Sequence, residues 1–314
     1  MDPTQPVIET DNLTKSFGDI RAVDGLSLSI REGEMFGLVG PDGAGKTTTI
    51  RMLCGVLLPT GGSARVLGYD IRSEPDRVKE KIGYLSQRFS LYGDLTVDEN
   101  IEFFAEINAV YDYRERREEL LDFTRLTPFR DRLAERLSGG MRQKLALACT
   151  LIHTPKILLL DEPTTGVDPV SRRDFWKILQ TLLAQGITII MSTPYLDEAE
   201  RCTRVALMNR GKAMVVSTPA EIKEKLPGQV IEIVCTPVRA AFQALKGRPE
   251  MMEVQAFGDR LNIVVRDAGR DRPAVEQLLR TAGVSLTAVR GISPTLENVF
   301  ISLLTHREEK EVQA

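Results

Sequence analysis

The stretch "EMFGLVGPDGAGKTTT", residues 34–49, decides how the rest of the chain is read. Its opening, "EMFGLVG", is a short apolar run that ends in glycine, as a buried strand does. From Lys46 to Leu57 the pattern becomes helical: Ile50, Leu53 and Leu57 share one face, and Pro59 stops it. Between the two, Gly40–Thr47 matches G-x-x-x-x-G-K-[ST] at every fixed position, and Thr48 follows. Gly40, Gly43 and Gly45, in a loop completed by Pro41, Asp42 and Ala44, then let backbone N–H groups curl around phosphate oxygens at a helix N-terminus. Lys46 supplies a cation for the β and γ phosphates, and the Thr47 hydroxyl can ligate Mg²⁺.

Such a loop needs a carboxylate to hold the metal shell. "KILLLDEP" (156–163) is a continuous apolar strand of the kind found in a parallel sheet covered on both faces, and it delivers Asp161 with Glu162 beside it. Two adjacent acids suggest a division of labour, with Asp161 on the metal and Glu162 polarising a water for attack on the γ-phosphate. "KIGYLSQ" (81–87) is a further strand whose terminal Gln87 could ligate Mg²⁺ or sense that phosphate.

Residues 7–39 read as strands, with Leu26, Leu28 and Ile30 alternating with Ser27 and Ser29. After Gln87 the texture changes. Thr96 and Glu99 stand in capping-box spacing, and the chain stays charged and helical to about Arg136, a helical insertion between strands. A helix around 170–184 and the strand "GITIIMST" (186–193) complete an α/β core. A second phosphate-facing helix start lies in "LSGGMRQK" (137–144): Ser138 can cap a helix, while Gly139 and Gly140 admit a ligand to the backbone.

Composition shifts again near Leu226. Beyond it the pattern predicts strand 229–236, helix 238–246, strand 251–257, strand 260–266, helix 273–282, strand 284–290 and a last helix from Pro294 capped by Ser293. The order βαββαβα is that of a small split-βαβ module. There is no internal repeat.

The 314 residues suffice for about two domains of ~150 residues each. A net charge of −3 leaves no basic footprint for nucleic acid. Cys54, Cys149, Cys202 and Cys235 are scattered without zinc or disulfide spacing, so reduced buried thiols are expected. No run approaches the ~18 apolar residues of a membrane span. The N-terminal "MDPTQPVIET" carries no apolar signal region, so the chain is expected to dock on a membrane protein rather than cross the bilayer.

Taken together, the Gly40–Thr47 loop, "ILLLDEP" and "LSGGMRQ" resemble the ATP-binding cassette (ABC) ATPases over about residues 7–225. The ending "ISPTLENVFISLL" is similar to the C-terminal extension of drug-resistance-type ABC exporter ATPases. The resemblance implies an α/β fold: a P-loop NTPase ABC cassette (RecA-like core with antiparallel β and helical subdomains, the helical part about 88–155) plus a small α+β C-terminal domain at 229–306. It implies ATP and Mg²⁺ as cofactors. By the same resemblance Phe17 stacks on adenine, Gly40–Thr48 wrap the phosphates, and Gln87 contacts Mg²⁺ or the attacking water. Asp161 holds the metal, Glu162 is the catalytic base, and "GVDP" (166–169) crosses to the opposite subunit. It further implies head-to-tail pairing with a second ABC ATPase subunit, so that Ser138–Gly140 of one chain cover the γ-phosphate held by Lys46 of the other. The partner that crosses the membrane is then a separate permease, docked about residues 88–110, and the chain sits on the cytoplasmic face.

One position departs from the family pattern. "MSTPYLDEAE" places Pro194 where a histidine is usual, and proline offers no side-chain donor. Either Glu162 and Mg²⁺ suffice, or the chain pairs with a different ATPase that keeps its histidine. Two other functions stay open from sequence: a soluble ABC ATPase acting on nucleic acid or ribosomes, and an ATP-dependent binding module with degenerate hydrolysis.

Overall fold

The computed structural model describes residues 6–87 and 91–313. The N-terminal residues 1–5 and the start of the 88–110 segment lie outside the described residues. The chain divides into two compact units, Met1–Val216 and Ser217–Ala314.

The first unit opens with strands β1 (Pro6–Phe17), β2 (Ile20–Arg31) and β3 (Met35–Val39), then helix α1 (Lys46–Leu53). There follow β4 (Gly61–Val66), β5 (Tyr69–Asp70), α2 (Pro75–Lys79), β6 (Ile82–Leu85), α3 (Val97–Ile107), α4 (Arg114–Thr124) and α5 (Gly139–Leu151). The unit closes with β7 (Ile157–Asp161), α6 (Pro169–Ala184), β8 (Thr188–Thr193), α7 (Leu196–Ala199), β9 (Arg204–Asn209) and β10 (Lys212–Ser217). One sheet runs β2-β1-β4-β5 and is antiparallel. The other runs β10-β9-β3-β8-β7-β6, and its pairings from β9 to β6 are parallel. Every residue of β3, β7 and β8 is buried, as the unbroken apolar runs demand of strands covered on both faces. Because these strands are parallel, their C-terminal ends share one edge of the sheet. That edge carries Gly40, Asp161 and Thr193 together.

The capping box forms as expected: Thr96 Oγ1 accepts from the Glu99 N–H at 3.2 Å, and Glu99 Oε2 accepts from the Thr96 N–H at 2.7 Å. Helix α1 is shorter than its apolar spacing predicts. Gly55 adopts φ +65°, its N–H reaches the Met52 carbonyl at 2.9 Å, and the Val56 N–H reaches Arg51 at 3.0 Å. That double closure ends a helix at a left-handed glycine, well before Pro59.

The second unit runs α8 (Pro219–Lys223), β11 (Gln229–Thr236), α9 (Val238–Leu245), β12 (Glu253–Phe257), β13 (Arg260–Val265), α10 (Ala268–Thr281), β14 (Ser285–Ile292) and α11 (Leu296–Gln313). The sheet order is β12-β13-β11-β14, antiparallel throughout, the arrangement of two interleaved βαβ halves. Ile231, Ile233, Leu261 and Ile263 line one face against Ala241, Leu245, Val275 and Leu279 of the helices. The opposite face carries a polar row in register, Gln255–Asn262–Glu232–Arg290. Glu232, 7% exposed, pairs there with Arg290 at 2.7 Å and Arg260 at 3.3 Å.

Two helix starts differ from the sequence expectation. Asp267 caps α10 through the Arg270 N–H at 3.0 Å, so the helix begins five residues before Pro273, which lies inside it. Thr295, not Ser293, sits at the start of α11: its hydroxyl accepts from the Asn298 N–H at 3.3 Å, and Asn298 Oδ1 accepts from the Thr295 N–H at 3.0 Å. Asn298 also donates to Gln255 Oε1 at 2.7 Å, so a contact with β12 fixes that start. All four cysteines are free and buried. Among the described residues no helix is long and apolar enough to cross a membrane.

Candidate functional site

The loop between β3 and α1 has its shape because two glycines cannot be replaced. A Cβ on Gly40 would lie 2.2 Å from the Met208 carbonyl oxygen, and one on Gly45 would lie 2.4 Å from that of Ala22. Gly45 also adopts φ +99° and stands at the N-cap of α1 without any side-chain cap. The first-turn N–H groups of α1 therefore have no intrahelical partner and no capping oxygen, which favours an anion in front of them. A cleft of about 610 Å³ opens there.

Asp42, Gly43, Ala44, Gly45, Lys46, Thr47 and Thr48 line the cleft, with Gln87 and Glu162. Lys46 Nζ folds back on its own loop, donating to the Gly40 carbonyl at 2.8 Å and the Pro41 carbonyl at 3.1 Å. It also pairs with Glu162 Oε1 at 3.2 Å, the two side chains being only 4% and 7% exposed. Glu162 Oε2 accepts from Gln87 Nε2 at 3.0 Å and from Thr165 Oγ1 at 3.3 Å. Thus the phosphate-loop cation, the two residues expected to act on water and a nearby hydroxyl form one cluster.

Asp161 has different partners. Its Oδ1 accepts from Thr47 Oγ1 at 2.9 Å and from Ser192 Oγ at 2.7 Å. Its Oδ2 is buried without a hydrogen-bond partner. A fully buried carboxylate oxygen beside a hydroxyl, next to an anion-binding loop, fits a hard divalent cation whose remaining ligands are water and phosphate. Among the described residues no group of three or more His, Cys, Asp or Glu gathers to hold a metal, so the protein's own ligands would be few.

Glu162 sits at φ +48°, the left-handed region that non-glycine residues rarely enter. Its N–H donates to Ser192 Oγ at 2.9 Å. The neighbouring Pro163 carbonyl accepts from Nε2 of the fully buried Gln143 on α5. Strain of this kind costs about 1–3 kcal/mol and persists only where neighbours hold it.

The remaining sequence candidates lie apart. Ser138 caps α5, its Oγ accepting from the Met141 N–H at 3.3 Å. A Cβ on Gly140 would meet Ser171 Oγ at 2.3 Å, so α5 starts hard against α6. Ser138, Gly139 and Gly140 do not line the cleft; Gly139 lines a separate depression with Thr165, Gly166 and Val167. Asp168 caps α6 through the Val170 and Ser171 N–H groups, which holds its carboxyl below the usual range. Phe17 is half exposed at the end of β1, with Lys15 Nζ 5.1 Å from its ring, and is not among the cleft residues. The residues that do line that side, Ile20, Arg21, Ala22 and Arg210, were not singled out by sequence because they belong to no motif. Pro194 follows Thr193, whose carbonyl accepts from the Gly40 N–H at 3.3 Å.

The ABC transporter family profile matches residues 23–165, and a profile of the DrrA1-3-like C-terminal domain of ATP-binding proteins matches 218–304. The daunorubicin/doxorubicin resistance ATP-binding protein DrrA of Streptomyces peucetius is 38% identical over 96% of this chain and 94% of its own length. The probable multidrug ABC transporter ATP-binding protein YbhF of Escherichia coli K12 is 43% identical over 70% of this chain, which spans 39% of that longer protein. Among solved structures, a dimeric ATP-binding cassette in a post-hydrolysis state with ADP and phosphate superposes with TM-score 0.60 at 27% identity, covering 67% of this chain and 98% of that one. A phosphate loop, paired carboxylates and relatives matched over nearly the full length lead to one assignment: this chain belongs to the ATP-binding ATPases of the ABC transporter family.

Proposed function

We propose that this chain hydrolyses ATP to drive export of a small molecule through a separate membrane-spanning partner, working as one half of an ATPase dimer on the cytoplasmic face of the membrane. The observation that supports this most is the division of the machinery. Lys46, Thr47, Gln87 and Glu162 line one cleft, with Asp161 hydrogen-bonded behind Thr47, while Ser138–Gly140 start a helix elsewhere. A second subunit would bring its own Ser138–Gly140 start over the first subunit's nucleotide. Oriented N–H groups would then meet γ-phosphate charge only in the closed dimer.

In this reading the backbone of Gly40–Thr48 cradles the phosphates, and Lys46 leaves its loop carbonyls and Glu162 to meet them. Glu162, released from Lys46, accepts a proton from water while Gln87 orients that water. Thr47 and Asp161 would hold Mg²⁺, which when bound offsets the charge of the β and γ oxygens. Export follows the relatives, one named as part of a probable multidrug ABC transporter and another for daunorubicin/doxorubicin resistance. Pro194 supports a second arrangement, pairing with an unlike ATPase that supplies the missing donor in one of two sites.

Phosphate release should be measured on the purified chain over a dilution series, then with co-expressed membrane and ATPase partners. Turnover per chain rising with concentration supports the composite site; a rate independent of concentration and unchanged by an unlike ATPase refutes it. Stimulation by an unlike ATPase, and not by more of the same chain, selects the mixed dimer.

A further inference from the structure

Glu198 on α7 is 1% exposed and belongs to no part of the site described above. Its Oε1 accepts from Thr164 Oγ1 at 2.6 Å, and its Oε2 accepts from Thr193 Oγ1 at 2.7 Å. Its cationic neighbour, Arg172, stands farther off at 3.6 Å and lies over the Tyr195 ring at 4.7 Å. Were Glu198 merely a buried ion-pair partner, Arg172 would make its closest contact. Instead the carboxylate is committed to two hydroxyls, in short charge-assisted hydrogen bonds.

Those hydroxyls belong to the two turns that build the reaction centre. Thr164 is two residues beyond Glu162, on the turn that holds Glu162 in its left-handed conformation. Thr193 ends β8, and its carbonyl accepts from the Gly40 N–H at 3.3 Å. Gly40 in turn offers its carbonyl to Lys46 at 2.8 Å. An unbroken path therefore runs from the Glu162 turn through Thr164, Glu198, Thr193 and Gly40 to Lys46. Pro194 follows Thr193 directly, and its ring restricts the backbone just beyond this path.

We propose that Glu198 is a positioning residue for ATP hydrolysis: its carboxylate clamps the Glu162 turn to the phosphate loop and so sets where the base stands relative to the γ-phosphate. This inference rests on the proposed function above. Its consequence is specific to the chemical step, because Glu198 touches neither nucleotide-facing N–H groups nor the cleft.

The test compares wild type with Glu198→Ala, Glu198→Gln and Thr164→Val in phosphate release and in amide exchange of the nucleotide-free chain. Loss of the clamp should lower kcat about 10- to 100-fold, as expected of a small displacement of a catalytic group. KM should rise far less than kcat falls, since Glu198 itself lines no part of the cleft. Glu198→Gln keeps one acceptor oxygen and should recover most of the rate. Thr164→Val, which removes one hydroxyl, should mimic Glu198→Ala and add nothing to it in the double variant. In the nucleotide-free chain, Glu198→Ala should speed exchange in both 40–47 and 161–165, a readout independent of turnover. Wild-type kcat in Glu198→Ala, or full activity in Thr164→Val, overturns the proposal, as does unchanged exchange in both segments. An inactive wild type with accelerated exchange in Glu198→Ala would sink the hydrolytic reading while leaving the clamp intact.

Discussion

Replacing Glu162 by glutamine separates two jobs that the proposed function gives to one side chain. The carboxylate is expected to take a proton from water, and general-base catalysis is worth roughly 10²–10⁴-fold. At about 1.4 kcal/mol per decade, that is ~3–5 kcal/mol of barrier. The same carboxylate occupies Lys46 at 3.2 Å in an almost fully buried pair. Removing one partner of such a pair costs about 3–5 kcal/mol. Here the amide oxygen can still accept from Lys46, which also keeps the Gly40 and Pro41 carbonyls. The stability loss should therefore be only ~1–2 kcal/mol. Freed of its internal competitor, Lys46 should also bind triphosphate more tightly. Three measurements on one preparation check this: single-turnover phosphate release, equilibrium nucleotide binding, and thermal unfolding without nucleotide. Release should fall by at least ~10², and affinity should rise. Equal release rates for variant and wild type would refute the assignment of Glu162 as base. Weaker nucleotide binding would refute the idea that Glu162 masks Lys46.

Four further outcomes follow from the geometry. Chelation of divalent cations should abolish phosphate release, and Asp161→Asn should do the same while leaving thermal stability near wild type; release that survives chelation would exclude the Asp161–Thr47 metal site. Gly45→Ala places a methyl group 2.4 Å from the Ala22 carbonyl in a backbone of φ +99°, so nucleotide binding by calorimetry should be lost or the chain should fail to fold. Ser138→Arg should leave binding by the isolated chain intact yet eliminate concentration-dependent turnover. Burial keeps the His153 imidazole below its ordinary pKa of 6.5, beside the Ile82 carbonyl at 2.9 Å. The unfolded chain therefore takes up this proton first, and stability should fall as pH drops below about 6.5, then level off once the folded group protonates. His153→Gln should flatten that slope in urea titrations.

The phosphate loop, the Asp161–Glu162 strand and the βαββαβα order were legible because each is a local pattern. Glycine at fixed offsets, an unbroken apolar run and a capping box need only neighbours in sequence. Where tertiary contacts decide, the local pattern misled: Asn298 is drawn to Gln255 and moves the start of α11, while Asp267 captures the start of α10 ahead of Pro273. The end of α1 was misplaced for a local reason, since Gly55 was a stronger stop than the distant Pro59. Strands β4, β5, β9 and β10 escaped notice because they are short or interrupted by turns such as Arg210–Gly211. Glu198 gave no signal of its own; its importance comes from two threonines 29 residues apart in sequence, Thr164 and Thr193, that the parallel sheet brings side by side.

The polar row across the small C-terminal sheet has a bearing on how that sheet assembles. Side chains alternate faces along a strand, so sliding β11 by a single position would turn Glu232 toward α9 and α10 and strand its charge among leucines and isoleucines, away from both arginines. Misaligned pairings are thereby penalised from the moment the sheet closes, and a Glu232→Leu variant should tolerate wrong alignments that the native sequence rejects.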